Sequence, residues 1–370
     1  MEMGFSVFMD HATNANSMND VNAKIVQVAK ALPPYCRTTK EIIPFVHLWL
    51  QDQEERFRRK VVKIFEGSGV EKRYGIMPID EVFHATSFEE KNAIYVREVK
   101  ALGESALRSA IEKANWKAND IDFIISVSCT GIMIPSLDAY LVNALEMRQD
   151  IVRLPVTEMG CAAGVSALIY ANQFLRANPG KRAAVIAVES PTATFQLNDF
   201  SMANMVSAAL FGDGASCVLL SSEVEDSGPK IVGSGMYHFY DAIEMMGFDL
   251  TNTGLKMILD PKVPETIAEH FPKLTYPFLE RLGSSIERVH HLIFHPGGRK
   301  IVQTVESLFG QLGKNIDETR RVLSEYGNMS SATVLYVLEE FLNKDIPKGE
   351  QGMILSFGPG FSAQRVLIEW

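Results

Sequence analysis

Apolar residues gather in short unbroken runs closed by turn residues: DFIISVS (122–128), AAVIAVE (183–189), SCVLLSS (216–222), HLIFH (291–295), GMILSF (352–357) and RVLIEW (365–370). Runs of this length without polar alternation predict strands buried on both faces. Between them lie stretches with apolar residues at helical spacing: SLDAYLVNALEMR (136–148), GVSALIYANQFLRAN (164–178) and SATVLYVLEEFLNK (331–344). Strands alternating with helices predict an α/β protein whose sheets are covered by helices.

The pattern occurs twice. In the first copy a strand ends in Ser-Cys-Thr-Gly (128–131), followed by a Met-Gly-Cys161 turn, a helix, the strand AAVIAVE and then GDGASCVLLSS. In the second a strand ends in His-Pro-Gly-Gly (295–298), followed by a Tyr-Gly-Asn328 turn, a helix, the strand GMILSF and then SAQRVLIEW. Cys129 and Cys161 stand 32 positions apart, His295 and Asn328 33. The same order at nearly the same spacing predicts an internal duplication. Its boundary falls in the polar stretch SSEVEDSGPK (221–230), giving halves 1–225 and 226–370. Cys161 and Asn328 would then meet near a pseudo-twofold axis.

Composition narrows the class. A hydrophobic content of 46% with 22% charged residues is ordinary for a globular chain. No apolar run is long enough for a membrane span. The first twenty residues lack a basic segment followed by an apolar one, so no secretory leader is expected and the cytoplasm is the expected location. A net charge of -9 argues against nucleic acid as a partner. The four cysteines are widely spaced, which disfavours a zinc motif, and a reducing compartment disfavours disulfides. A buried inert thiol and a nucleophile remain open for Cys161.

Small residues flank Cys161 where an apolar helix begins, and a helix N-terminus there would favour the thiolate. An adjacent imidazole would give a thiolate–imidazolium pair. His295, at a strand end before Pro-Gly-Gly, is the candidate; His290 and His291 read as structural. Asn328 reads either as a helix cap or as an amide donor to an oxyanion beside the imidazole N–H.

The segments GCAAG around Cys161, HPGGRKI (295–301), EYGNMSSA (325–332) and SFGPGF (356–361) resemble those of the chalcone/stilbene synthase-like, or type III, polyketide synthases. The resemblance runs from about residue 20 to the C-terminus. It implies the thiolase fold, two similar halves in five αβαβα layers, and a homodimer. It also implies a Cys161-His295-Asn328 catalytic set acting on CoA thioesters without metal or redox cofactor. Cys161 would accept an acyl group, and malonyl-CoA would extend it after losing carbon dioxide. MPIDE, SCTGIMIPSL and FGPGFSAQ look closest to bacterial phloroglucinol-forming members. A phloroglucinol, small resorcinol or pyrone is therefore the expected product. Long-chain alkylpyrone or alkylresorcinol synthesis is the alternative, and a β-ketoacyl-carrier-protein synthase III, with one condensation, a second.

The same resemblance assigns further positions. Phe211 matches one gatekeeper between the CoA tunnel and the pocket, and Met257 takes the place of the second, usually Phe. Cys129, Thr194 and Ser330 match pocket-lining positions, and Phe248 falls where plant enzymes carry Gly, narrowing one lobe. Gly358-Pro359-Gly360 matches the loop that shapes the cavity floor, with Ser356 at a usual Gly. That loop precedes a strand, so it is no dinucleotide fingerprint. Lys60 and Lys63, in the basic run ERFRRKVVK (55–63), match CoA-gripping positions, and Gly67 replaces a third lysine. A solvated helix face is the plainer reading of that run.

Overall fold

A computed structural model describes residues 22–84 and 87–370; the first twenty residues, from which no leader is expected, and so the start of the N-terminal half 1–225, lie outside them. The first half carries strands β1 (Lys24–Ala31), β2 (Tyr35–Thr38), β3 (Lys72–Gly75), β4 (Phe123–Val127), β5 (Val152–Val156), β6 (Arg182–Glu189) and β7 (Gly214–Ser221). Its helices are α1 (Thr39–Trp49), α2 (Glu55–Glu66), α3 (Ile79–Val82), α4 (Phe88–Lys113), α5 (Leu137–Ala144), α6 (Ala163–Ala177) and α7 (Met202–Leu210). The second half carries β8 (Lys230–His238), β9 (Met246–Thr251), β10 (Gly254–Leu259), β11 (Val289–Phe294), β12 (Gln351–Gly358) and β13 (Ser362–Glu369). Its helices are α8 (Val263–Arg281), α9 (Arg299–Gly310), α10 (Asp317–Tyr326) and α11 (Thr333–Leu342).

Nine strands form one sheet in the order β11-β12-β13-β8-β1-β7-β6-β4-β5. Its two ends repeat one plan. Reading outward from the join, β1-β7-β6-β4 pair antiparallel, antiparallel and parallel, and β8-β13-β12-β11 do the same. The halves join where Lys24 of β1 faces Lys230 of β8.

Strand alternation sorts the side chains into layers. Along β6, Ala183, Val185 and Ala187 pack with α6 and α11, while Ala184, Ile186 and Val188 pack outward with α4. Along β12 and β13, Ile354, Val366 and Ile368 join the same central core, and Met353, Leu355 and Leu367 face α8 and α9. Helix, one half of the sheet, central helix pair, the other half of the sheet and helix give the five expected layers. All six apolar runs are strands because both faces are buried. No strand is expected from the apolar runs at β1, β8 or the β9–β10 hairpin. In these strands exposed or half-exposed positions interrupt the apolar signal. The helix expected over 136–148 stops at Ala144, two residues before Glu146 turns to φ 49°.

Candidate active site

Three chain segments converge where the two halves of the sheet meet the central helices. Cys161 lies in a 3-10 turn, Gly160–Ala162, that runs into α6. Gly160 has φ +50°, and a Cβ there would stand 2.5 Å from the Pro359 ring, so only glycine fits. His295 follows β11 directly and is held by its N–H on the Leu355 carbonyl at 3.0 Å. Asn328 sits between α10 and α11, its N–H on the Leu210 carbonyl (2.8 Å) and its carbonyl accepting from Gly212 (3.1 Å). These bonds tie Asn328 to the end of α7, beside Phe211.

The Asn328 side chain is oriented by its neighbours. Its Oδ1 accepts from the Ser330 N–H at 2.8 Å and lies 3.4 Å from the donating Thr333 hydroxyl. Nδ2 is thereby left to donate, and the Gly297 carbonyl lies 3.4 Å from it. The cap and the amide donor are thus opposite ends of one side chain, so the two roles coexist. Cys161, His295, Asn328, Phe211 and Met257 line one cavity of about 30 Å³. Cys161 also lines an adjoining one of about 20 Å³ with Ser330, Phe248 and Pro359.

The resting charge state differs from the expected ion pair. Burial pushes the Cys161 thiol up to about 11, against the pull of the Ser330 hydroxyl and the Asn328 side chain. Burial likewise holds His295 down to about 3, and neither ring nitrogen has a hydrogen-bond partner among the described residues. Desolvation outweighs the help that small neighbours and a helix start give a thiolate, so both groups rest neutral.

Ser330 couples Cys161 to a polar network that the sequence analysis does not contain. Its Oγ lies 3.6 Å from Cys161 Sγ and 3.3 Å from Cys129 Sγ. The Cys129 N–H and the Thr130 hydroxyl donate to the Glu189 carboxylate at 3.0 and 2.8 Å, and the Ser331 hydroxyl donates to its other oxygen. Glu189 is fully buried, and burial raises its pKa against the pull of these donors. The one sequence signal for it is an acid closing the apolar run AAVIAVE.

The remaining positions are distributed around this centre. Phe248 and Met257 face each other across the β9–β10 hairpin. Phe211, Phe248 and Met257 all border a third cavity, of about 80 Å³, which Thr194 also lines. Thr194 therefore stands outside the two cavities that hold Cys161; its hydroxyl donates to the Pro191 carbonyl at 2.9 Å. Cys129, Phe248, Pro359 and Gly360 border an open cavity of about 470 Å³. Gly358 lines none of these four cavities and packs on the Met159–Ala162 turn. Lys60 and Lys63 are exposed on α2, away from all four cavities. Helix α2 ends at Gly67, whose carbonyl accepts from the Arg299 guanidinium at 2.9 Å, at the start of α9. No helix of the described residues is long and apolar enough to cross a membrane.

Comparison with known proteins gives one consistent answer. Residues 10–224 match the N-terminal domain of chalcone and stilbene synthases, and residues 238–369 match the C-terminal domain. A phloroglucinol synthase of Pseudomonas fluorescens is 32% identical over 308 residues, covering 83% of this chain and 88% of that protein. A 1,3,6,8-tetrahydroxynaphthalene synthase of Streptomyces peucetius is 31% identical, covering 95% and 94%. The crystal structure of the 1,3,6,8-tetrahydroxynaphthalene synthase of Streptomyces coelicolor, a bacterial type III polyketide synthase, superposes with a TM-score of 0.88 at 28% identity, covering 94% and 99%.

Proposed function

Because the chain belongs to the chalcone and stilbene synthase family and is a type III polyketide synthase, we propose that Cys161 is its acyl-bearing nucleophile, with His295 and Asn328 as its proton and oxyanion partners. The observation that carries this reading is the cavity shared by the thiol, the imidazole and the outward-facing Asn328 amide.

His295 is buried and neutral, so it can accept the Cys161 proton as the sulfur attacks an acyl-CoA carbonyl. Charge then appears as a pair inside the cavity, and CoA leaves with the proton. Malonyl-CoA next places its thioester oxygen between the imidazole N–H and Asn328 Nδ2. Carbon dioxide departs, its bonding electrons form an enolate stabilised by those two donors, and the enolate carbon attacks the acyl-cysteine carbonyl; the bond to Cys161 sulfur breaks, leaving the extended chain on CoA, from which Cys161 is reloaded. Repetition lengthens the chain. The reaction requires no metal or redox group, because loss of carbon dioxide drives each condensation.

Small cavities around Cys161 favour a product built from malonyl units over one begun from a bulky ring. Phloroglucinol, a small resorcinol or a pyrone is the product proposed; the 32% identity to a phloroglucinol synthase supports that class. The test incubates purified protein with malonyl-CoA alone, then with hexanoyl- to palmitoyl-CoA added, and identifies products by mass. An aromatic product from malonyl-CoA alone is expected. Turnover only with an added acyl-CoA would transfer the assignment to alkylpyrone or alkylresorcinol synthesis. Exposed Ile132 and Ile134 support assembly as a homodimer, to be checked by light scattering.

A further inference from the structure

The cavity of about 80 Å³ beside the reaction chamber has walls unlike the rest of the site. Phe211, Phe248 and Met257 border both it and the cavities that hold Cys161, and Ser207 stands on the wall it shares with the cavity of Cys161, His295 and Asn328. Two buried guanidinium groups line it, Arg37 from β2 and Arg73 from β3. Arg37 has a carboxylate to balance it, the buried Asp213.

Arg73 has none among the described residues. Its Nη1 donates to the carbonyls of Ala208 (2.9 Å) and Phe211 (3.3 Å), and Nη2 to the Thr39 hydroxyl (3.3 Å). Those carbonyls at the end of α7 offset part of its charge. Arg73 Nε and the Ser207 hydroxyl remain buried without a hydrogen-bond partner among the described residues, and both residues line the cavity. Burial and the neighbouring Arg37 charge push the Arg73 guanidinium down to about 9, the direction expected of a cation short of an anion. Buried cations are ordinarily paired, and buried donors ordinarily satisfied.

We propose that this cavity is a subsite for the ionised carboxylate at the distal end of a short dicarboxylic acyl group carried on Cys161. The proposal rests on the reading of Cys161 as the acyl-bearing nucleophile. Arg73 Nε and the Ser207 hydroxyl supply the donors, and Arg37 adds positive potential. The volume holds roughly five water-sized groups, enough for a carboxylate with its adjoining methylenes and too little for a long alkyl chain. A carboxylate lodged there against Arg73, which lines only this cavity, lies across the Ser207, Phe211 and Met257 wall from the thioester chemistry at His295 and Asn328. The unit it belongs to is therefore the starter, which keeps its acid group, and not the extender, which loses it. In the loading step the acyl–sulfur bond to CoA breaks, the bond to Cys161 forms, and the thiol proton ends on CoA.

The test compares succinyl- and glutaryl-CoA with their uncharged shape analogues, 4-methylpentanoyl- and 5-methylhexanoyl-CoA, by rapid quench and intact-protein mass. In the wild type at least one diacid should acylate Cys161 on the order of tenfold faster than its analogue. Ser207→Ala and Arg73→Met should each lower that ratio by on the order of tenfold. Taking a ratio within each variant removes general losses, and Ser207→Ala serves if Arg73→Met does not fold. Faster loading of both analogues in the wild type, or a ratio unchanged in the variants, overturns the subsite. Failure of all four thioesters to label Cys161 overturns instead the assignment of the nucleophile.

Discussion

The Ser356 hydroxyl donates a 2.7 Å hydrogen bond to the carbonyl of Cys161, tying the Gly358-Pro359-Gly360 loop to the turn that carries the sulfur. Serine stands here where the resemblance expects glycine, and its hydroxyl makes a bond that glycine lacks. Ser356→Ala should cost about 1 kcal/mol in urea unfolding. It should also slow alkylation of Cys161 by iodoacetamide, because the turn loses one of its anchors. Wild-type values in both measurements would show that the bond positions nothing.

Asn328 should matter most where negative charge develops on a thioester oxygen. Asn328→Ala should reduce malonyl-CoA decarboxylation by about 100- to 1000-fold, the usual cost of one oxyanion donor. Loading of Cys161 from an acyl-CoA should fall less, because His295 still takes the thiol proton. Measuring carbon dioxide release and acyl-enzyme formation separately distinguishes the two. Equal losses in both would argue that Asn328 acts only through the Ser330 N–H that it caps.

The neutral His295 predicts a particular acid sensitivity. Its native pKa is lowered from 6.5 to about 3, so below 6.5 the unfolded chain takes up a proton that the folded one refuses. Stability from this group is complete above 6.5 and declines by about 1.4 kcal/mol per pH unit toward 3. His295→Gln should remove that slope. Urea unfolding of both proteins near pH 6.5 and about pH 4.5 reads the difference, expected at about 2 to 3 kcal/mol. Parallel pH dependences would mean that His295 is not held neutral.

What the sequence disclosed follows from how burial writes itself into it. Strands β6, β7, β12 and β13 touch helices on both faces, so most of their interior positions are apolar or small and the runs are plain, with Gln364 and Arg365 of β13 as buried exceptions. The catalytic candidates were legible because each interrupts such a pattern at an element's end. Glu189, Arg37 and Arg73 were not, since a charged residue ordinarily signals a surface. Their burial depends on partners far along the chain, such as Ser331 for Glu189 and Ala208 for Arg73. Lys60 and Lys63 show the converse: the densest basic run lies exposed on α2.

Phe248 borders three cavities at once and pairs with Met257 across the hairpin, so its ring determines how far these spaces communicate. Phe248→Gly should join them and admit bulkier starters, read as new product masses when aromatic acyl-CoA thioesters are supplied. Met257→Phe should act in the opposite sense and confine products to small ones. An unaltered product range in both variants would place the size limit elsewhere.

Gly164, near the start of α6, tests how closely the central helices must approach. A Cβ there would stand 2.3 Å from the backbone carbonyl of Ser331, a contact no flexible side chain can relieve. Either α6 or the Ser330–Ala332 turn has to shift. Gly164→Ala should therefore destabilise the fold by about 1 to 3 kcal/mol, the usual cost of overpacking. Ser331 holds Glu189, and its neighbour Ser330 touches both Cys129 and Cys161, so the shift reaches Cys161. Condensation should fall by more than the fraction unfolded explains. Gly310→Ala, at the exposed end of α9 with nothing within 4 Å of a new Cβ, provides the contrast. It should leave activity unchanged and stabilise slightly through helix propensity, by at most about 1 kcal/mol. Equal behaviour of the two variants in urea unfolding and product formation would show that the helices have room to spare, and the packing argument would fail with it.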